Sequence, residues 1–211
     1  MDLLFAVLHV QQMVALLLGV ALQITNGFAN PFISHFKEVP EFAQTWGARN
    51  ANALISISQV SETLGILLIP IVMKIFGIKR VMLIAMFAWV LRFGLFGAGN
   101  PGSGVWMLIL SMIVYGVAFD FFNISGALYT NMRTSEKLQN SAQGLFMLMT
   151  NGIGATIGTL SAQAVVNHFV YNAAEPDWSA AWYVFAAYAM VVAILFMFLF
   201  KEPKDSNAKI A

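Results

Sequence analysis

The residues of this chain able to do chemistry sit where they are expensive to keep. In the segment 55–65, ISISQVSETLG, Gln59 and Glu62 lie one helical turn apart inside an apolar run. A carboxylate near the centre of a membrane-spanning helix costs about 2.5–3.5 kcal/mol on insertion scales, so its default reading is a functional site. Asn52, Ser56, Gln59 and Thr63 recur at steps of three to four, which makes one side of that helix polar. In LQITNGFAN, Gln23, Asn26, Gly27 and Asn30 follow the i, i+3, i+4, i+7 pattern of a polar stripe. In SMIVYGVAFDFFNISG, Tyr115 and Phe119 share a face, with Gly116, Asp120 and Asn123 on the adjoining one. Converging on one cavity, these amides, carboxylates and rings suit a small polar molecule with several hydroxyl or amide groups and a flat ring.

The competing reading for each amide is interhelical hydrogen bonding, worth about 0.6 kcal/mol on average. Asp120 falls near the cytoplasmic third of its expected span, where a carboxylate can be wetted or paired. Arg92, at a depth close to that of Glu62, is read as ion-paired with it or snorkelling, ahead of direct ligand contact. Gly154 and Gly158 form a GxxxG with Ala155 and Ser161 nearby, a close-packing signal to which no chemistry is assigned.

The elements that must position these residues follow from composition. Of 211 residues, 59% are hydrophobic and only 10% charged, with mean hydropathy +0.75, which makes this a membrane protein. Six apolar stretches are long enough to span a bilayer at roughly 20 residues each. Their expected cores are Val10–Ser34, Ala51–Ile75, Val81–Gly99, Gly104–Leu128, Ser141–Asn167 and Ser179–Phe200. The start, MDLLFAVLHV, carries Asp2 and no basic residue, so it does not read as a signal peptide. The organisation expected is an all-α six-helix transmembrane bundle over 1–200 and a cytoplasmic tail over 201–211.

If the spans alternate, Lys74, Lys79, Arg80, Arg133, Lys137, Lys201, Lys204 and Lys209 share one side, against Lys37 and Arg49 on the other, beside Glu175 and Asp177. Cytoplasmic connections collect basic residues, so both termini are expected to be cytoplasmic. The absence of cysteine excludes disulfides and thiolate metal sites, and a net charge of +1 points to no nucleic-acid partner. His9, His35 and His168 sit near span ends without metal-site spacing, and no GxSxG or phosphate-cradling loop is present. No enzyme, metal or cofactor is expected.

The stretches LQITNGFANPF, SISQVSETLGILLIP, FGIKRVMLIAMFAWVLRFGLF, LSMIVYGVAFDFFNISG and SAQGLFMLMTNG closely resemble the C-terminal half of bacterial nucleoside:proton symporters of the major facilitator superfamily. The cytoplasmic GIKR is similar to a reduced copy of that superfamily's basic loop. The resemblance implies a transporter of twelve helices in two halves that rock about a central site, with this chain as helices seven to twelve. The first and fourth helices of a half then line the cavity, the second and fifth form the seam, and the third and sixth lie outside. It further implies that Gln23, Asn26, Gln59, Glu62, Tyr115 and Phe119 contact nucleoside, purine or pyrimidine, and that Glu62 or Asp120 carries the proton. The bacterial inner membrane, with its lipid, is the implied setting. The N-terminal half that would complete the cavity is not in this sequence, which leaves a non-transporting truncated module or a homodimeric half-transporter as alternatives.

Overall fold

Each apolar run folds as one helix, because a backbone in hydrocarbon satisfies its polar groups only internally. The computed structural model describes residues 2–200, with side chains from Gln12 onward; the expected tail 201–211 and the His9 side chain lie outside the described residues. The spans are α1 Asp2–His35, α2 Ala51–Phe76, α3 Ile78–Ala98, α4 Val105–Arg133, α5 Glu136–Tyr171 and α6 Trp178–Leu199.

Local chemistry sets the boundaries. Gly77 adopts φ 76°, a left-handed value that lets α2 turn directly into α3 without the strain a side chain would bring. Between α3 and α4, Asn100 Oδ1 accepts hydrogen bonds from the backbone N–H groups of Gly102 at 2.9 Å and Gly104 at 3.1 Å, closing the GNPGSG turn. The α1–α2 connection carries a one-turn helix, Trp46–Arg49, whose first turn is capped by Thr45. Pro31 in α1 and Pro70 in α2 are each accommodated inside a helix. Pro31 has no N–H to offer the Gly27 carbonyl, which therefore loses its usual partner in the middle of the polar stripe.

Helix α4 runs five residues beyond the expected Leu128, to Arg133. Asp120 consequently sits near the middle of its helix, and its side chain is buried. Helix α5 is interrupted by π-helical turns at Leu148–Gly154 and Asn167–Tyr171.

Helix α3 packs between α4 and α6, while α4 also lies along α2, and α1 lies along α5. The GxxxG pair does what small residues do: side chains at Gly154 and Gly158 would run into the α1 backbone at Leu16 and Val20. At the end of the bundle where α1 and α3 finish and α6 begins, Phe32, Phe96, Trp178 and Trp182 make one aromatic cluster joining α1, α3 and α6, with ring centroids 4.6–5.6 Å apart. Only 17% of the most apolar stretch of α2 is buried, against 67% for α1, so α2 is a flank with one side unfinished.

Candidate functional site

Between α1 and α2 lies an open groove of about 400 Å³. Helix α1 lines it with Thr25, Asn26, Ala29 and Asn30, and α2 with Ile55, Ser58, Gln59 and Glu62. The floor comes from Arg92 of α3 and Tyr115 of α4. At the end nearest the α1–α2 connection Asn30 Nδ2 donates to Asn52 Oδ1 at 2.7 Å, so these two amides do act as interhelical glue, and Ser34 Oγ donates to Asn30 Oδ1 at 2.9 Å.

Glycines bring α2 and α4 together below the groove. The Ser61 hydroxyl donates to the Ile113 carbonyl and accepts from the Gly116 N–H at 3.3 Å, and any side chain at Gly116 would strike the Ser61 backbone. One turn on, a side chain at Gly65 would begin 3.2 Å from Asp120 Oδ2. Asp120 is thus enclosed against α2, outside the groove, and Oδ2 has no hydrogen-bond partner.

Arg92 neither snorkels nor forms an ion pair with Glu62. Its side chain is 1% exposed. Nη1 donates to the Ser111 carbonyl at 2.6 Å, Nε donates to Thr25 Oγ1 at 3.3 Å, and Ser111 Oγ returns a hydrogen bond to the Arg92 carbonyl at 3.1 Å. The guanidinium carbon lies 4.4 Å from the Tyr115 ring centroid and 4.9 Å from that of Phe96. Among the described residues no ion pair joins Glu62 and Arg92; the contact of that kind is His35 Nδ1 to Glu38 Oε2 at 3.7 Å, an ion pair only when the imidazole is protonated. Glu62 still lies within electrostatic range of Arg92, and the Tyr115 hydroxyl is directed at its carboxylate. Asp120 feels Glu62 as well. The four groups form one connected electrostatic cluster in low dielectric, where Coulomb terms are large.

Of the residues singled out in the sequence, Asn26, Gln59, Glu62 and Tyr115 meet in the groove. Gln23 does not line it; its Cβ packs beside Gly158 of α5. Phe119 stacks parallel to Tyr115, with centroids 5.7 Å apart and planes 1° from parallel, and lines a second cavity of about 490 Å³ between α4 and α5. That cavity also holds Asn123, Asn131, Gln143 and Asn151, although the Gln143 amide already donates to the Ala127 carbonyl at 2.6 Å and to Asn131 Oδ1 at 2.8 Å. Sequence reasoning missed Thr25, which lies off the polar stripe, and the reach of Arg92 past α4 into the groove. The signal for Arg92 was there in its depth, since a fully buried cation must find partners.

An open polar groove across apolar spanning helices, with glycine-packed pairs on either side, is the architecture of one half of a major facilitator transporter. The comparison with solved structures agrees: a crystal structure of the nucleoside transporter NupG matches over 91% of this chain and 47% of its own, at 46% identity and a TM-score of 0.85. A mutant of that transporter matches at 45% identity and a TM-score of 0.87, over 92% of this chain and 48% of its own. Residues 3–205 match the nucleoside H+ symporter family, and the chain belongs to it. Similar proteins include the xanthosine permease of Escherichia coli (strain K12), 47% identical over 192 residues, which are 90% of this chain and 46% of the permease. The nucleoside permease NupG of the same strain is 47% identical over 188 residues, 89% of this chain and 45% of the permease. The chain therefore spans about half the length of the relatives it matches.

Proposed function

We propose that this chain supplies the C-terminal half of the substrate cavity of a nucleoside:proton symporter in the bacterial inner membrane. The observation that carries the reading is the groove itself: neutral amides from two helices facing one carboxylate and a tyrosine hydroxyl. Ribose hydroxyls both donate and accept, so Asn26 and Gln59 suit them with either end of the amide, while Glu62 accepts from a hydroxyl or a base N–H. One face of the Tyr115 ring is already covered by Arg92, so Tyr115 serves substrate through its hydroxyl. Phe119 then offers the ring on which a base stacks as substrate moves from the groove toward the second cavity, whereas Gln23, packed beside Gly158, is assigned to substrate by the family resemblance alone.

Transport runs by alternating access, with proton and nucleoside entering from outside and leaving inside. At 100 mV, one proton moved inward supplies about 2.3 kcal/mol, enough for a gradient of several tens of fold. Glu62 and Asp120 are the two carboxylates able to carry it. The basic residues at the ends of α2, α3 and α4 set the cytoplasmic side, and Lys79, whose ammonium donates to the Met197 carbonyl at 3.4 Å, ties the start of α3 to the end of α6 on that side. An N-terminal six-helix half covers the groove. No catalytic step belongs to this account.

Uptake of radiolabelled uridine and adenosine tests the reading, with the chain acting alongside its N-terminal half. Gln59→Ala or Glu62→Ala is expected to cut uptake about tenfold or more at unchanged membrane abundance, because buried ligand hydrogen bonds are lost. Uptake within about twofold of the parent would return both residues to a helix-bridging role and leave the non-transporting module as the better reading.

A further inference from the structure

The buried guanidinium of Arg92 has no part in the function described so far, yet it occupies the floor of the groove. A cation and a carboxylate sharing a low-dielectric pocket ordinarily collapse into contact, because their attraction is strong there and desolvation leaves each otherwise unpaired. Here they do not. The reason is visible in the donor directions: Nη1 is engaged by the Ser111 carbonyl and Nε by Thr25, Nη1 and Nη2 both face Met112 Sδ at 4.0 Å, and the guanidinium carbon lies over the Tyr115 and Phe96 rings. Ser111 clamps the arrangement from the other end by donating to the Arg92 carbonyl, one helical turn before Tyr115. The edge of Trp89 closes on Tyr115 at a centroid distance of 5.8 Å and an interplanar angle of 84°.

We propose that Arg92 is the positioning residue of the groove: its guanidinium, locked by Ser111, Thr25 and two ring faces, fixes the Tyr115 side chain with its hydroxyl toward Glu62 while staying out of an ion pair with Glu62. The carboxylate is thereby left available to a ligand or a proton. What Glu62 is kept available for rests on the transport reading; that it is kept available does not.

Lysine separates this role from mere charge or bulk. Its ammonium is a compact point charge on a flexible stem, without the planar fork that fits a carbonyl and two rings at once. Arg92→Lys keeps the cation but frees it to swing onto Glu62, whereas Arg92→Gln removes the cation. The test is labelling by a hydrophobic carbodiimide, which attacks an unpaired protonated carboxyl, read residue by residue by mass spectrometry on the chain in membranes with its N-terminal half. Glu62 in the parent and in Arg92→Gln is expected to label, and Arg92→Lys to lower Glu62 labelling about tenfold through ion pairing. Uridine binding is measured in parallel. Arg92→Lys and Glu62→Gln are each expected to weaken it about tenfold and the double variant no further, since both remove the same free carboxylate. Parent-like labelling of Glu62 in Arg92→Lys, an equal loss in Arg92→Gln, or a parent Glu62 that does not label would each overturn the proposal. If the labelling pattern holds but the parent binds no uridine, the transport reading fails and the positioning role stands.

Discussion

Two carboxylates within electrostatic range of each other occupy different surroundings, and the difference predicts different phenotypes. Glu62 faces the groove, half-buried, whereas Asp120 is enclosed between α2 and α4 with one oxygen unpartnered. Removing charge at Asp120 therefore touches no groove wall. If Asp120 carries the proton, Asp120→Asn retains nucleoside counterflow while uphill uptake and its pH dependence disappear; for Glu62→Gln to show that pattern instead would assign the proton to Glu62. Unchanged pH-driven accumulation in either variant excludes that residue as the essential carrier. The aromatic pair divides in the same way. Tyr115→Phe keeps the ring that Arg92 covers and loses only the hydroxyl directed at Glu62, so it should weaken nucleoside binding by about 1–3 kcal/mol if that group is left unsatisfied in the complex. Phe119→Leu keeps bulk but removes the stacking surface, and a titration series should show a loss greatest for the larger purine bases. Equal losses across bases would take stacking away from Phe119.

At the scale of elements, the decisive contacts are backbone against backbone. Gly116 lies on Ser61 and Gly158 on Val20, so α2 meets α4, and α5 meets α1, at a closeness that only glycine permits. Gly116→Ala should force α2 away from α4, costing about 1–3 kcal/mol as overpacking. Gly144→Ala meets nothing within 4 Å and serves as the control. Thermal unfolding in detergent checks this: a drop for Gly116→Ala with Gly144→Ala at the parent value is expected, and equal behaviour would mean the helices slide freely past Ser61. The six spans were legible in the sequence because hydrocarbon demands some 20 apolar residues of any helix that crosses it. The polar stripes of α1 and α2 were legible too, since their period survives in sequence, and they meet in the groove at Asn26, Gln59 and Glu62. Three things were not. The π-helical turns of α5 leave no periodic mark. The end of α4 depends on a mostly polar run, 129–133, that hydropathy alone does not assign to a helix. The position of Arg92 beneath the groove, and of Gln23 beside Gly158, depends on how whole helices are rotated against one another, which side-chain spacing within one helix does not encode.

For the whole molecule, the question is what covers the groove. The outward face of α2 is apolar at Val60, Leu64 and Leu67, whereas Asn26 and Gln59 beside it are exposed amides that hydrocarbon does not satisfy. Self-pairing about a two-fold axis would bring two Glu62 carboxylates together, where like charges repel strongly at low dielectric, and would duplicate one set of contacts instead of supplying the complementary one. A distinct N-terminal half, matching the remaining length of the relatives, meets both demands. The most direct test is uridine accumulation in proteoliposomes under an imposed inward proton gradient. The account predicts saturable accumulation when this chain is reconstituted with a matching N-terminal half, lost on adding a protonophore and lost with Glu62→Ala, and none from the 211-residue chain alone. Protonophore-sensitive accumulation by the purified chain alone would contradict it and make the homodimer the working transporter.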